Sequence, residues 1–179
     1  MGLHAWRSSA TVRQRIQEAR PYLLIGSPPC TDRCALHVRL NHPRMDPGLV
    51  ARRVQEAKVH LAFVLQLYQD QLDGGRHFLH EHPASATSWC EPAMLELLTR
   101  LGVNSVVGHM CRQGMQMPDP EGVVRPVLKP TRWASSAETV LETLAAKCPN
   151  NQYPWRPPTA PAYRPPGRQS HVPGSSVSP

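Results

Sequence analysis

The sequence predicts a layered α/β domain with a mostly parallel sheet over residues 21–148, and three observations carry that prediction. Short, continuous apolar runs alternate with longer stretches of helical periodicity, the pattern of strands buried between crossover helices. Turn residues punctuate each change, at Gly26-Ser27-Pro28-Pro29, Asp73-Gly74-Gly75 and Gly102. After Cys148 the periodicity stops, and nine prolines fall between Pro149 and Pro179 with almost no aliphatic residues. Such a tail cannot bury enough apolar surface to offset the ordering of its backbone, so disorder is expected for residues 149–179. Basic residues beside its prolines, at Arg156-Pro157-Pro158 and Arg164-Pro165-Pro166, also fit a ligand for a proline-recognition module.

Residues 11–19 allow a short helix ahead of the domain. Tyr22-Leu23-Leu24-Ile25 is the first strong element, read as a strand buried on both faces, and Pro28-Pro29 then forces an extended loop. Thr31 to Arg44 is ambiguous. Asp46-Pro47 supplies an N-cap and a first-turn proline. Val50, Val54, Ala57, Leu61, Val64, Tyr68 and Leu72 then recur three or four apart, widened by Phe63, Leu65 and Leu67, so a long helix should lie on the sheet. Asp73-Gly74-Gly75 ends it.

His77-Phe78-Leu79-His80 reads as a second strand that stops at Glu81-His82-Pro83. Ser88 and Glu91 have capping-box spacing and predict a helix with Leu95, Leu98 and Leu101 as its buried stripe. Val103 to Val107 is a third strand, and Val123 to Leu128 a fourth, confined to an edge by Pro126. The last helix is expected to start at Ser135, with Glu138 at its third position and Val140, Leu141, Leu144, Ala145 and Cys148 turned inward.

The net charge of +7 is uneven. Residues 21–148 carry 13 Lys/Arg against 12 Asp/Glu, whereas residues 1–20 and 149–179 each contribute +3. A basic groove for nucleic acid is therefore not indicated; the flanks give at most a loose, salt-sensitive attraction to polyanions. The chain has no secretory signal and no span-length apolar stretch, and its five cysteines are an odd number, so an intracellular location with reduced thiols is expected.

Reactive residues of such sheets collect beyond the strand carboxyl ends, and Cys30 and Glu81 fall there independently. A thiolate is a nucleophile, and a carboxyl group can hydrogen-bond or protonate a heterocycle. Other readings are a semi-buried cysteine and a solvated acid. Two further chemistries fit less well. Cys30, Cys34, His80, His82 and Cys111 could supply metal ligands, although the cysteine spacing is unusual for zinc. Cys30 with His37 or His80 could form a hydrolase pair, but no orienting third residue is marked.

Taken together, Gly26-Ser27-Pro28-Pro29-Cys30, Phe78-Leu79-His80-Glu81-His82-Pro83, Cys111-Arg112-Gln113-Gly114-Met115 and Lys129-Pro130-Thr131 resemble the motifs of DNA cytosine-5 methyltransferases. The combination is most similar to a degenerate module of that family within retroelement polyproteins of some protists, and it covers about residues 20–148. The resemblance implies a partial Rossmann-like fold, Cys30 as nucleophile on cytosine C6, Glu81 as its partner at N3, and Pro28, Pro29 and Arg112 around the substrate. It also implies S-adenosylmethionine as methyl donor. The stretch before Tyr22 has no glycine-rich turn to hold that donor, and His82-Pro83 stands where the family has Asn-Val. The expectation is thus an inactive fragment without its donor half, binding no cofactor unaided. A partner chain supplying the first strands, or weak contact with DNA, is expected rather than a membrane. The alternatives are a nucleic-acid-binding or scaffolding fragment of a retroelement-derived protein, or a small Cys/His metal-binding domain.

Overall fold

Leucine and tyrosine at helical spacing place one face of a long helix on the sheet, and the rest of the chain is arranged around that contact. The computed structural model describes residues 3–29 and 41–148. In chain order these are α1 (Leu3–Ala19), β1 (Leu23–Gly26), α2 (Pro47–Asp73), β2 (His77–Pro83), α3 (Pro92–Leu98) and β3 (Asn104–His109), then β4 (Gln116–Pro118), β5 (Val124–Pro126), β6 (Pro130–Ser135) and α4 (Glu138–Leu144). The fold is mixed α/β. No helix among the described residues is long and apolar enough to cross a membrane. The predicted Pro-rich tail lies outside the described residues.

β1 and β2 are parallel neighbours, paired from Leu23 with His77 to Gly26 with His80. The sheet order is β1-β2-β6-β3, and β6 runs antiparallel to both β2 and β3. The mostly parallel sheet expected from the sequence is therefore corrected to a mixed one. β1, β2 and β3 do share one direction, but β6 stands between the last two. Its residues Thr131, Ala134 and Ser135 are fully buried. Ser135 Oγ donates to the Phe78 carbonyl and accepts from Ala137 N–H, which allows a polar residue at the sheet centre. Ser135 thus ends a strand instead of starting a helix, and α4 begins at Glu138.

The core joins Leu61, Leu65 and Tyr68 of α2 to Phe78, Trp89, Met94, Leu97, Val103 and Ala134. Burial of each large apolar side chain is worth roughly 1.5–3 kcal/mol. Asp46 caps α2 by accepting from Leu49 N–H at 2.7 Å, as its sequence predicts. α3 differs from expectation. Glu91 is its N-cap and Pro92 its first residue, while Ser88 lies in a 3-10 turn over Thr87–Cys90. Met94 and Leu97 are buried and Leu98 packs against the core, whereas Leu95 is exposed and Leu101 lies exposed beyond the end of the helix.

β1 is also corrected. Ile25 is 64 % exposed and Tyr22 74 % exposed, because β1 ends the sheet order and its outer face is not fully covered. The Val123–Leu128 segment yields β5, which pairs with β4 in a separate two-stranded ribbon. Asp119 holds the turn between them, accepting from Glu121 N–H, Val123 N–H and Arg125 Nε. Burial alone would raise its pKa, but these hydrogen bonds and the Arg125 charge hold it below the usual value. Cys111 and Cys148 are joined as a disulfide with Cα atoms 6.8 Å apart, in place of the expected unpaired thiols.

Candidate functional site at the sheet's carboxyl end

The parallel register of β1 and β2 brings the residues after Gly26 and His80 together. Ser27 Oγ donates to Glu81 Oε2 at 2.6 Å, and Lys129 Nζ lies 3.8 Å from Glu81 Oε1. The second distance is too long for a hydrogen bond but close enough for Coulombic attraction. The Glu81 side chain is 16 % exposed, and its Oε1 atom is buried without a hydrogen bond. One carboxylate oxygen is thus held by the β1 loop, while the other has capacity for a further donor.

Alternation along β2 sends Glu81 to one face and Phe78, His80 and His82 to the other. His82 Nε2 donates to the Pro28 carbonyl at 2.8 Å, and Nδ1 pairs with Ser88 Oγ at 2.6 Å. A carbonyl only accepts, so Nε2 carries a proton. The Ser88 hydroxyl can serve Nδ1 in either protonation state of the ring. His82 therefore ties the Pro28 loop to β2 from below, as Ser27 and Glu81 tie it from the other face.

His80 sits deeper. Its Nδ1 is 3.2 Å from Tyr68 Oη, and its ring meets the edges of Trp89 and His82. Burial, aided by the electrostatic influence of the neighbouring His82, lowers its pKa to about 3, so the ring is neutral. Burial likewise pushes the Tyr68 phenol up. Tyr68 also explains Gly26, where a Cβ would stand 2.0 Å from the phenol oxygen.

Of the residues predicted for the site, Pro28 is buried with its carbonyl fixed, and Pro29 is exposed beside it. Cys30 lies outside the described residues, as do Cys34 and His37. Arg112 is exposed in a 3-10 turn, Met110–Gln113, that follows β3. It shares the sheet end with Glu81, but β6 intervenes, and the cation facing Glu81 is Lys129. Lys129 and Ser27 were not picked out as site residues from sequence; each directly precedes or follows a strand, which is the signal that marks them. Of the metal set, both ring nitrogens of His82 are hydrogen-bonded, His80 is packed against Tyr68 and Trp89, and Cys111 is paired with Cys148, while Cys30 and Cys34 lie outside the described residues.

A methyl-donor site in the family's style does not fit these residues. The residues ahead of β1 form one helix, Leu3–Ala19, and not a strand, glycine turn and helix. The described glycines at positive φ, namely Gly75, Gly102, Gly114 and Gly122, close helical segments or the β4–β5 turn. None joins a strand to a helix N-terminus, where backbone N–H groups could receive such a ligand. A concavity of about 760 Å³ is lined by Thr11, Gln14, Arg15, Glu18 and Ala19 of α1, and among the described residues its walls include none of the groups around Glu81. No family model, curated protein or solved structure matches the chain.

Proposed function

We propose that residues 21–148 are a Rossmann-like, DNA cytosine-5 methyltransferase-like domain with the base-facing loops of that family and no donor site of its own. The observation that carries this reading is the convergence of the Pro28-Pro29 loop and Glu81 at one end of two adjacent parallel strands, tied by Ser27 and His82. A nucleophile loop and a carboxyl partner require that placement. In this reading the Cys30 thiolate adds to C6 of a cytosine taken out of its stack, while Glu81 delivers a hydrogen bond and proton at N3. Pro28 and Pro29 shape the loop, and Arg112 approaches the nucleic-acid backbone. S-adenosylmethionine would supply the methyl group in the family reaction. Without it, the thiolate adduct only reverses.

β1 stands at the end of the sheet order, where its backbone can pair with strands from another chain. Contact with DNA in this reading is weak, since residues 21–148 carry a net charge of only +1. Calorimetry with S-adenosylmethionine, run alongside transfer of labelled methyl to single-stranded and duplex DNA, tests the proposal. The expected result is neither saturable binding nor transfer. Micromolar binding, or transfer abolished by Cys30→Ala, would overturn it and make the chain an enzyme.

A further inference from the structure

A second cluster of chemistry-bearing side chains lies after β3, apart from Glu81. A ring nitrogen of His109 and the sulfurs of Cys111 and Cys148 all lie within 4.8 Å of one another. His109 ends β3, Cys111 is in the following 3-10 turn, and Cys148 comes four residues after α4. The three are brought together by contacts that do not require the disulfide. His109 N–H donates to the Ala146 carbonyl at 3.0 Å, and Cys148 N–H donates to His109 Nδ1 at 3.1 Å. Gly108, just before, has the Leu144 carbonyl where a Cβ would be. The His109–Ala146 backbone bond and the Gly108–Leu144 contact involve neither sulfur, so they tie the segment that carries Cys148 to β3 independently of the disulfide.

We propose that this cluster is a redox-gated binding site for a borderline-soft divalent cation, zinc, held by His109, Cys111 and Cys148. Two thiolates and an imidazole are the preferred donors of such an ion, with a water or another ligand completing the tetrahedron. At zinc–sulfur distances of about 2.3 Å the two sulfurs stand about 3.7 Å apart, so they separate after the disulfide is reduced. His109 Nδ1 accepts from Cys148 N–H, so an ion held through Nδ1 takes the place of that N–H as its partner. The disulfide and the metal site are mutually exclusive. A dithiol reductant delivers two electrons and two protons to the disulfide and leaves as its own disulfide. The two resulting thiols release their protons to solvent as the ion binds. Either state clamps the segment after α4 to β3, the oxidised one by a covalent bond and the reduced one by the ion.

The test is a cobalt titration of the full chain, first reduced with a dithiol and freed of it without air. One equivalent of Co²⁺ is expected to bind with sulfur-to-metal charge-transfer absorption and tetrahedral ligand-field bands, and one equivalent of Zn²⁺ should displace it. The oxidised chain should show neither. A chain carrying C30S, C34S and C90S keeps the three ligands and should bind as the reduced chain does, whereas C111S or C148S should lose at least roughly tenfold in affinity together with part of the sulfur absorption. Circular dichroism establishes that each variant is folded. Failure of the reduced chain to bind, loss of binding in the C30S, C34S and C90S chain, or unchanged binding in C111S and C148S would each overturn the proposal.

Discussion

His80 illustrates how a single buried side chain couples the site to solution conditions. Its ring is fully buried, and its pKa of about 3 lies far below that of a free imidazole. Below about pH 6.5 the unfolded chain binds the proton that the folded chain refuses, so protonation favours unfolding. The stability is fully present above that pH and is lost as pH falls towards 3, by up to about 4–5 kcal/mol. Urea midpoints measured across this range should fall steeply with acid in the wild type and less so in His80→Gln. Equal slopes in the two chains would exclude His80 as the cause.

Gly26 offers an independent check on the same pocket. A Cβ there would meet the Tyr68 hydroxyl at 2.0 Å, so Gly26→Ala should cost roughly 1–3 kcal/mol by overpacking. Removing the hydroxyl with Tyr68→Phe should make the second substitution less costly, with a coupling of about 1 kcal/mol in a double-mutant cycle. Additive effects would mean that the hydroxyl is not what excludes a side chain at this position.

Among the elements, α4 is joined to β3 through a contact that admits no side chain. The Leu144 carbonyl lies 1.8 Å from where a Gly108 Cβ would be. Backbone cannot rotate away as a flexible side chain can, so Gly108→Ala must push the end of α4 off the sheet. A loss of roughly 2–3 kcal/mol is expected. Amide exchange should rise first in residues 138–148 and in β3, leaving α2 and β2 protected. Uniform loss of protection across the chain would show that α4 does not open separately.

At the scale of the whole molecule, the proposed function depends on one distance. Cys30 Sγ and the Glu81 carboxyl group are expected within about 12 Å, the spread of loops from neighbouring strands. Glu81→Cys in a chain also carrying C34S and C90S should cross-link to Cys30 with a dithiol-reactive reagent of that reach. Accessible but uncross-linked thiols would remove the base-binding reading. The outcome leaves the His109, Cys111 and Cys148 cluster untouched, because its residues and test are separate.

Local signals in the sequence determined the elements whose cause is itself local. Asp46-Pro47 starts α2 where a cap and a first-turn proline require it, and the apolar run at Leu23–Ile25 makes a strand. The expected stop at Glu81-His82-Pro83 is corrected: β2 runs on through Pro83, because β6 pairs with it there, and Glu81 lies within the strand opposite Trp133. What the tertiary structure decided is everything that depends on partners distant in the chain. β6 was not legible because Arg132 and Ser135 are polar, and they are acceptable inside only where Ser105 and Trp89 meet the Arg132 guanidinium and the Phe78 carbonyl accepts from Ser135. The inward turn of Met94 and Leu97, the ties from Ser27 and His82, and the approach of Cys148 to His109 arise for the same reason. Periodicity reports what one segment can bury, whereas hydrogen-bond satisfaction and sheet order depend on which segments meet.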